Sequence, residues 1–325
     1  MSQTAGMKSL GLFLLSSVFG VGVRGRNALY DRGVLPVRRL QGPVVSVGNL
    51  SLGGSGKTPF VLWLGELLNS RGVKFDVLSR GYGRQSRGVL LVDSNGEPAQ
   101  FGDEPLLIAR RLGAPVVVGE DRYEAGRFAE RKFGPQLHIL DDGFQHRSLG
   151  RDFDVVLVTP EDARDRFIPY GRLRELQSSL ARADAVVLTS GASDEAFPLD
   201  GKNVWRARRG IVFRKVPDQP VAFCGIARPQ NFLRQLRTAG IHPMAEAVFP
   251  DHHAYTGNDI RDLLRLRQQS EAEGFVTTEK DAINLGAHRA ALEPLAVVQV
   301  KMRVQEPANV VDTILRAAEE RKRPA

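Results

Sequence analysis

GNLSLGGSGKTP, residues 48–59, is the stretch on which the fold turns. A short β-branched run, PVVSV (residues 43–47), precedes it, and residues 59–69 follow with the apolar spacing and length of a helix. Strand, glycine-rich turn and helix in that order form the setting of a phosphate-binding loop. Small residues let consecutive backbone N–H groups converge on one point, where the helix N-terminus also favours negative charge. On this reading Gly53, Gly54, Ser55 and Gly56 cradle a triphosphate, Lys57 reaches its β- and γ-phosphates, and Thr58 offers its hydroxyl to Mg²⁺. ATP and Mg²⁺ are the ligands this implies. The strict pattern wants glycine where Ser51 stands; Gly53 and Gly54 are available to absorb the turn.

Outward from the loop, further apolar runs fall at residues 73–78, 115–118, 137–140, 155–158 and 185–188, most of them separated by segments of helix-forming composition such as 104–112 and 121–132. Strands that alternate with helices predict an α/β fold: a P-loop NTPase-like, mainly parallel sheet covered by helices on both faces. VWRARRGIVFRKV (residues 204–216) breaks the rhythm with two β-like pieces around Arg209-Gly210, which suggests a ribbon or hairpin. A second alternation begins at Val221, so a smaller C-terminal α/β domain is expected. The expected organisation is a segment at 1–26, a kinase-type core at 27–203, a β-ribbon linker at 204–216 and the smaller domain at 217–325. The charged tail from Ala317 is expected to fray.

The formal net charge is +8, and the first forty residues hold Lys8, Arg24, Arg26, Arg32, Arg38 and Arg39 against the single acid Asp31. Between them lies LGLFLLSSVFGVGV (residues 10–23), shorter than the ~18 to 20 apolar residues of a spanning helix. It has no small-residue cleavage site of the kind a signal peptide needs. Apolar side chains beside cations suit a helix lying on an anionic membrane surface; the plainer alternative is a first helix packed on its own domain. The positive excess is not interleaved with stacking aromatics, and no zinc-finger or RRM pattern is present, so nucleic acid is not an expected partner. The lone Cys224 supports neither an internal disulfide nor a multi-thiolate metal site, which fits a reducing compartment.

Two groups of acids stand where such a loop would need them. The run 137–140 ends in Asp141-Asp142, the arrangement of a strand that delivers a carboxylate toward the metal; alternation along a strand requires only one of the two to face it, and spacing leaves open which. Asp103, in GDEP (residues 102–105), is read either as a helix N-cap with Glu104 in the first turn or as the carboxylate that accepts a proton from an alcohol acceptor. Asp251-His252-His253 offers two histidines without a third metal ligand.

Taken together these motifs resemble the tetraacyldisaccharide 4'-kinases, the lipid A 4'-kinases. The resemblance runs through GNLSLGGSGKTP, SRGYGR (79–84), GDEP, VGEDR (118–122), LDDGFQH (140–146), GRLRE (171–175), GIARPQNF (225–232), FPDHHAY (249–255) and TTEKDAIN (277–284). Ser51 belongs to the same pattern. The resemblance implies transfer of the γ-phosphoryl group of ATP to the 4'-hydroxyl of an acylated glucosamine disaccharide 1-phosphate, at the cytoplasmic face of the inner membrane and without an obligate protein partner. It implies Asp103 as the base, with the histidine of the Asp-His motif, taken as His252, assisting and His253 as the alternative. It places Asp141, Asp142, Gln145 and His146 around metal and nucleotide, and Arg80, Tyr82, Arg122, Glu104 and Arg174 in supporting or substrate-binding roles. A membrane-bound P-loop ATPase acting as a switch would share the loop, the acidic strand and the basic apolar helix, but would have no use for Asp103 as an alcohol's base.

Overall fold

The computed structural model describes residues 2–322; residue 1 of the expected interfacial segment and residues 323–325 of the tail lie outside them. The chain runs α1 (Ser2–Asp31), β1 (Val44–Asn49), α2 (Lys57–Ser70), β2 (Phe75–Ser79), β3 (Leu90–Leu91), α3 (Pro98–Phe101), α4 (Asp103–Leu112), β4 (Val116–Val118), α5 (Arg122–Phe133) and β5 (Leu137–Asp141). It continues through β6 (Phe153–Val158), β7 (Ala185–Thr189), β8 (Asn203–Val212), β9 (Pro220–Cys224), α6 (Pro229–Thr238) and β10 (Ala245–Val248). Last come α7 (Gly257–Gln269), β11 (Gly274–Thr278), α8 (Glu279–Asn284), β12 (Leu295–Val304) and α9 (Pro307–Lys322). The tail expected to fray is helical as far as Lys322.

These strands form one sheet in the order β10-β9-β11-β12-β8-β7-β6-β1-β5-β2-β4-β3. Every pairing is parallel except β12 with β8 and the short β3 with β4. A parallel strand in mid-sheet is covered on both faces, and β1 is buried at each of its residues. Its side chains divide by alternation: Val45 and Val47 join the core under α2 and α4, while Val44 joins the one under α5. β1 lies between β5 and β6, with Val47 level with Asp141 of β5. The glycine-rich turn after Asn49 and the acids after Leu140 therefore leave neighbouring strands at the same carboxyl edge, where ligands bind in open α/β sheets.

Residues 204–216 depart from the hairpin reading. β8 is one continuous strand, Gly210 lacks the positive φ of a tight turn, and the partner is β12, with Arg209 opposite Met302. Its burial alternates over most of its length, as expected of a strand that is half covered. The sequence offered no sign of this partner, which lies about ninety residues further on by the register.

Helix α1 extends beyond residue 26 and presents two unlike faces. One face docks: Ser16 Oγ donates to Phe167 O at 2.7 Å, Phe19 meets the Phe167 ring edge-on, and Asn27 Nδ2 donates to Glu175 at 3.0 Å. The opposite face leaves Leu14, Leu15 and Val18 exposed at 58, 59 and 71%. Among the described residues no helix is long and apolar enough to cross a membrane.

Gly48 fixes how closely the turn after β5 approaches the loop. A Cβ there would lie 2.4 Å from Phe144 Cβ and 2.8 Å from its backbone nitrogen. Gly48→Ala is expected to cost ~1–3 kcal/mol, the usual range for forced overpacking. Urea unfolding measures it, and an unchanged midpoint contradicts this packing.

Candidate active site

The loop owes its shape to three glycines with positive φ: Gly53 (57°), Gly54 (71°) and Gly56 (97°), the last at the N-cap of α2. Side chains would be strained in each place. Arginines consume the loop's carbonyls, which would otherwise repel an anion. Arg172 Nη2 donates to Leu52 O at 2.7 Å, and Arg209 Nη1 donates to Gly54 O at 2.9 Å. Asn49 braces the turn from below by donating to Ser51 O at 2.7 Å and Ser55 Oγ at 2.8 Å. Lys57 Nζ donates to Asn49 Oδ1 at 3.0 Å and pairs with Asp142 at 3.3 Å.

A cavity of about 410 Å³ opens in front of the loop. Gly53 to Thr58 form one wall. Ile226, Phe232, Val298 and Val300 give apolar surface on the other, and Glu104, His252 and Lys280 also line it. Both halves of the chain thus contribute to a volume suited to a small ligand.

The acids after β5 take different roles. Arg174 donates to both oxygens of Asp142, at 2.8 and 2.7 Å, and also to Asn49. Burial opposes ionisation of Asp142, but Lys57 and Arg174 outweigh it and hold the carboxyl well below its usual range. Asp142 sits at φ 51°, a left-handed conformation that a non-glycine residue adopts at a cost. Asp141 is buried; Ser79 Oγ donates to its Oδ2 at 3.1 Å, and its Oδ1 has no protein partner. Burial and the nearby carboxylates of Glu104 and Asp142 push it up to about 7. A buried carboxylate short of a cation and of a hydrogen bond is chemistry that suits Mg²⁺. Among the described residues no three acids, histidines or cysteines converge into a complete metal cage. Mg²⁺ commonly takes one or two carboxylates and completes its shell with phosphate and water. Thr58, in the first turn of α2, and Asp141 and Asp142 are the side chains available to hold it.

Asp103 begins α4 and is 5% exposed. His252 Nδ1 lies 3.0 and 2.8 Å from its two oxygens, Asn284 Nδ2 donates to Oδ2 at 3.3 Å, and the Glu104 N–H donates to Oδ1 at 2.8 Å. Burial alone would raise its pKa; the His252 hydrogen bond and the charge of Lys280 reverse this and lower it. His252 is raised in turn, chiefly by its bond to Asp103. It has φ 58°, like Asp142 a non-glycine residue in the left-handed region. His253, the other half of the pair, turns elsewhere: its Nε2 lies 3.1 Å from Asp259, and its ring stacks on Phe249 at 4.8 Å. Geometry thus separates two histidines that spacing could not.

The remaining expected residues gather at the same edge. The exposed Tyr82 ring lies 5.3 Å from that of His252. Arg80 is exposed at the end of β2. Arg122 is buried at the start of α5, donates to Glu120 O at 2.8 Å and keeps a buried Nε without a partner. Burial and Arg80 bring it down to about 10. Gln145 Nε2 donates to Asn49 O at 2.8 Å. His146, brought down to about 4 by burial and Arg122, lies 3.2 Å from Ser148 Oγ. Glu104 is ion-paired with Lys280.

Sequence reasoning passed over Asn49, Ser79, Lys280, Asn284 and the arginines 172 and 209. Asn49 stood next to the glycine run, and Lys280 within TTEKDAIN, where an acid-base cluster follows a strand. Asn284 and Arg172 also stood in quoted motifs, TTEKDAIN and GRLRE, and Arg209 in the expected ribbon, but nothing local marked their contacts, which tertiary structure alone makes.

A phosphate-binding loop on a mainly parallel sheet, with an acidic strand end beside it, defines a P-loop NTPase-like enzyme fold. The family described as "Tetraacyldisaccharide-1-P 4'-kinase" matches residues 9–319. The tetraacyldisaccharide 4'-kinase of Koribacter versatilis is 49% identical over 321 residues, covering 95% of this chain and 99% of that protein. That of Aquifex aeolicus is 40% identical, covering 80% of this chain and 84% of its own. A crystal structure described as the "apo" form of LpxK from Aquifex aeolicus in complex with ATP superimposes with a TM-score of 0.79 at 35% identity, covering 95% of this chain and 99% of that one. The chain belongs to the tetraacyldisaccharide-1-P 4'-kinase family.

The opposed shifts of Asp103 and His252 set a pH window. The raised histidine adds stability that is present below its unfolded value near 6.5 and is lost as pH rises through the folded one. The lowered aspartate adds stability that is present above 3.8 and is lost as pH falls through the folded value. Asp103→Asn is expected to return the His252 titration toward lower pH when followed by NMR of its ring protons. A titration left in place contradicts the pairing.

Proposed function

We propose that this protein transfers the γ-phosphoryl group of ATP to the 4'-hydroxyl of a tetraacylated glucosamine disaccharide 1-phosphate, the kinase step of lipid A biosynthesis. The observation that carries the reading is the buried Asp103 carboxylate held by His252 beside the nucleotide-sized cavity. A hydrolytic switch needs to position water; it does not need a carboxylate braced for a sugar alcohol. Family membership and the likeness to an ATP-bound relative support ATP as donor.

In this reading the loop N–H groups and Lys57 bind the triphosphate, and Arg122 and Arg174 offset charge around it. Asp103 takes the proton of the 4'-hydroxyl as its oxygen bonds to the γ-phosphorus and the bond to the β–γ bridging oxygen breaks, leaving ADP. His252 orients that carboxylate and keeps it ionised. Mg²⁺, when held by Thr58, Asp141 and Asp142, would neutralise charge on the phosphates. The supporting or substrate-binding roles of Arg80 and Tyr82, and those of Gln145 and His146 around metal and nucleotide, are part of the same proposal.

The two halves, 27–203 and 217–325 with 204–216 between them, are read as lobes closing over the nucleotide, because both line the cavity. The exposed apolar face of α1 and the neighbouring arginines support a peripheral position on an anionic membrane, at the cytoplasmic face where ATP is available. There the sugar of a lipid acceptor sits at the headgroup plane.

Incubation with γ-labelled ATP and the disaccharide 1-phosphate lipid tests the reaction: label on the lipid supports it, and acceptor-independent release of phosphate supports the switch ATPase instead. Asp103→Ala is expected to cut transfer at least ~10²-fold, the low end for loss of a general base, while ATP binding persists. Near-normal turnover contradicts the role. Replacing Leu14, Leu15 and Val18 by Ser is expected to reduce sedimentation with anionic vesicles without loss of the fold; unchanged sedimentation contradicts a membrane-facing role for that exposed face.

A further inference from the structure

The cleft holds a cation that the scheme above leaves unused. Lys280, in the first turn of α8, pairs its ammonium with the carboxylate of Glu104 on α4 and lines the same cavity as Lys57. The partners lie 176 residues apart in sequence, and each side chain retains 26% exposure toward the cleft. Helix docking does not account for the pair, because the neighbouring residue already joins the same helices: Arg111 of α4 donates to Glu279 of α8 at 2.9 Å. Nor is a part-buried ion pair an efficient source of stability compared with apolar packing.

Its electrostatic setting is that of an anion site. The charges of both Lys57 and Lys280 act on Glu104, and all three side chains line the cleft. The terminal phosphate of a nucleotide on the loop would meet Lys57 and present more negative charge than a carboxylate. Lys280 also acts on both Asp103 and His252, which places its charge beside the group that would receive the acceptor's proton.

We propose that Lys280 is a phosphoryl-binding residue: Glu104 holds its ammonium in the free enzyme, and it passes to the terminal phosphate of ATP, which Lys57 also meets. The inference rests on the kinase reading and deepens it. Lys280 then belongs to the residues that distinguish ATP from ADP, because the phosphate it meets is the one that leaves with the acceptor.

Calorimetric titration of the full chain with MgATP and with MgADP, in the absence of lipid, tests this. Lys280→Met is expected to weaken ATP binding at least ~10-fold, as loss of a charge-assisted hydrogen bond does, with ADP affected far less. Lys280→Arg, which keeps the charge, is expected to recover much of the difference. Lys280→Met combined with Glu104→Gln removes both charges, and so separates loss of phosphate binding from damage by an unpaired acid. If ATP and ADP affinities fall together in the double variant, or neither falls, the proposal is overturned. A wild-type enzyme that fails to label the lipid while Lys280→Met still loses ATP selectively would sink the kinase reading and leave this assignment standing.

Discussion

Four carboxylates, those of Asp103, Glu104, Asp141 and Asp142, stand near enough to act on one another beside the cleft that Glu104 lines, and the arrangement follows from making that concentration of negative charge tolerable. Desolvation opposes ionisation at each of them, and like charges add to the cost at Glu104 and Asp141. The chain answers with partners from distant segments: Lys57 and Arg174 at Asp142, Lys280 at Glu104, and the His252 ring at Asp103. Asp141 alone is left short, high in pKa and with one oxygen unpartnered, where a divalent cation would complete the balance. The same charges that let the cleft fold can bind a polyphosphate and activate an alcohol.

This compensation ties chemistry to topology. β1 and β5 are neighbours in register, so loop and acids emerge together, whereas His252 and Lys280 come from the other half of the sheet, beyond the β8–β12 pairing. The Asp103–His252 pair is complete only when both halves meet. A cleft built in this way can couple nucleotide binding to assembly of the acceptor site, and so limit transfer to water. Helix α1 is docked by one face and apolar on the other.

Much of this was legible in the sequence wherever the cause was local. The glycine run, Lys57 and Thr58 name a phosphate loop because backbone conformation and helix N-terminus are set within a few residues. Alternating apolar runs gave the parallel sheet because burial on both faces leaves a pattern in each strand. The partner of β8 escaped, since a strand half covered by a segment about ninety residues away has no local mark. So did the choice between His252 and His253: both follow Asp251, and only a left-handed φ at His252, supported from elsewhere in the fold, aims its ring at Asp103. Lys280 was visible as a charged residue in a motif, but its meaning depends on Glu104, which tertiary structure alone brings to it.

The central claim is that the Asp103 carboxylate faces the acceptor oxygen across from the phosphate loop. A crystal structure with Mg²⁺, a non-hydrolysable ATP analogue and the disaccharide lipid tests it most directly. The account predicts the 4'-hydroxyl hydrogen-bonded to Asp103 and in line with the terminal phosphorus held by Lys57. A hydroxyl that points to another residue, or a water in its place with the sugar bound outside the cleft, would contradict it.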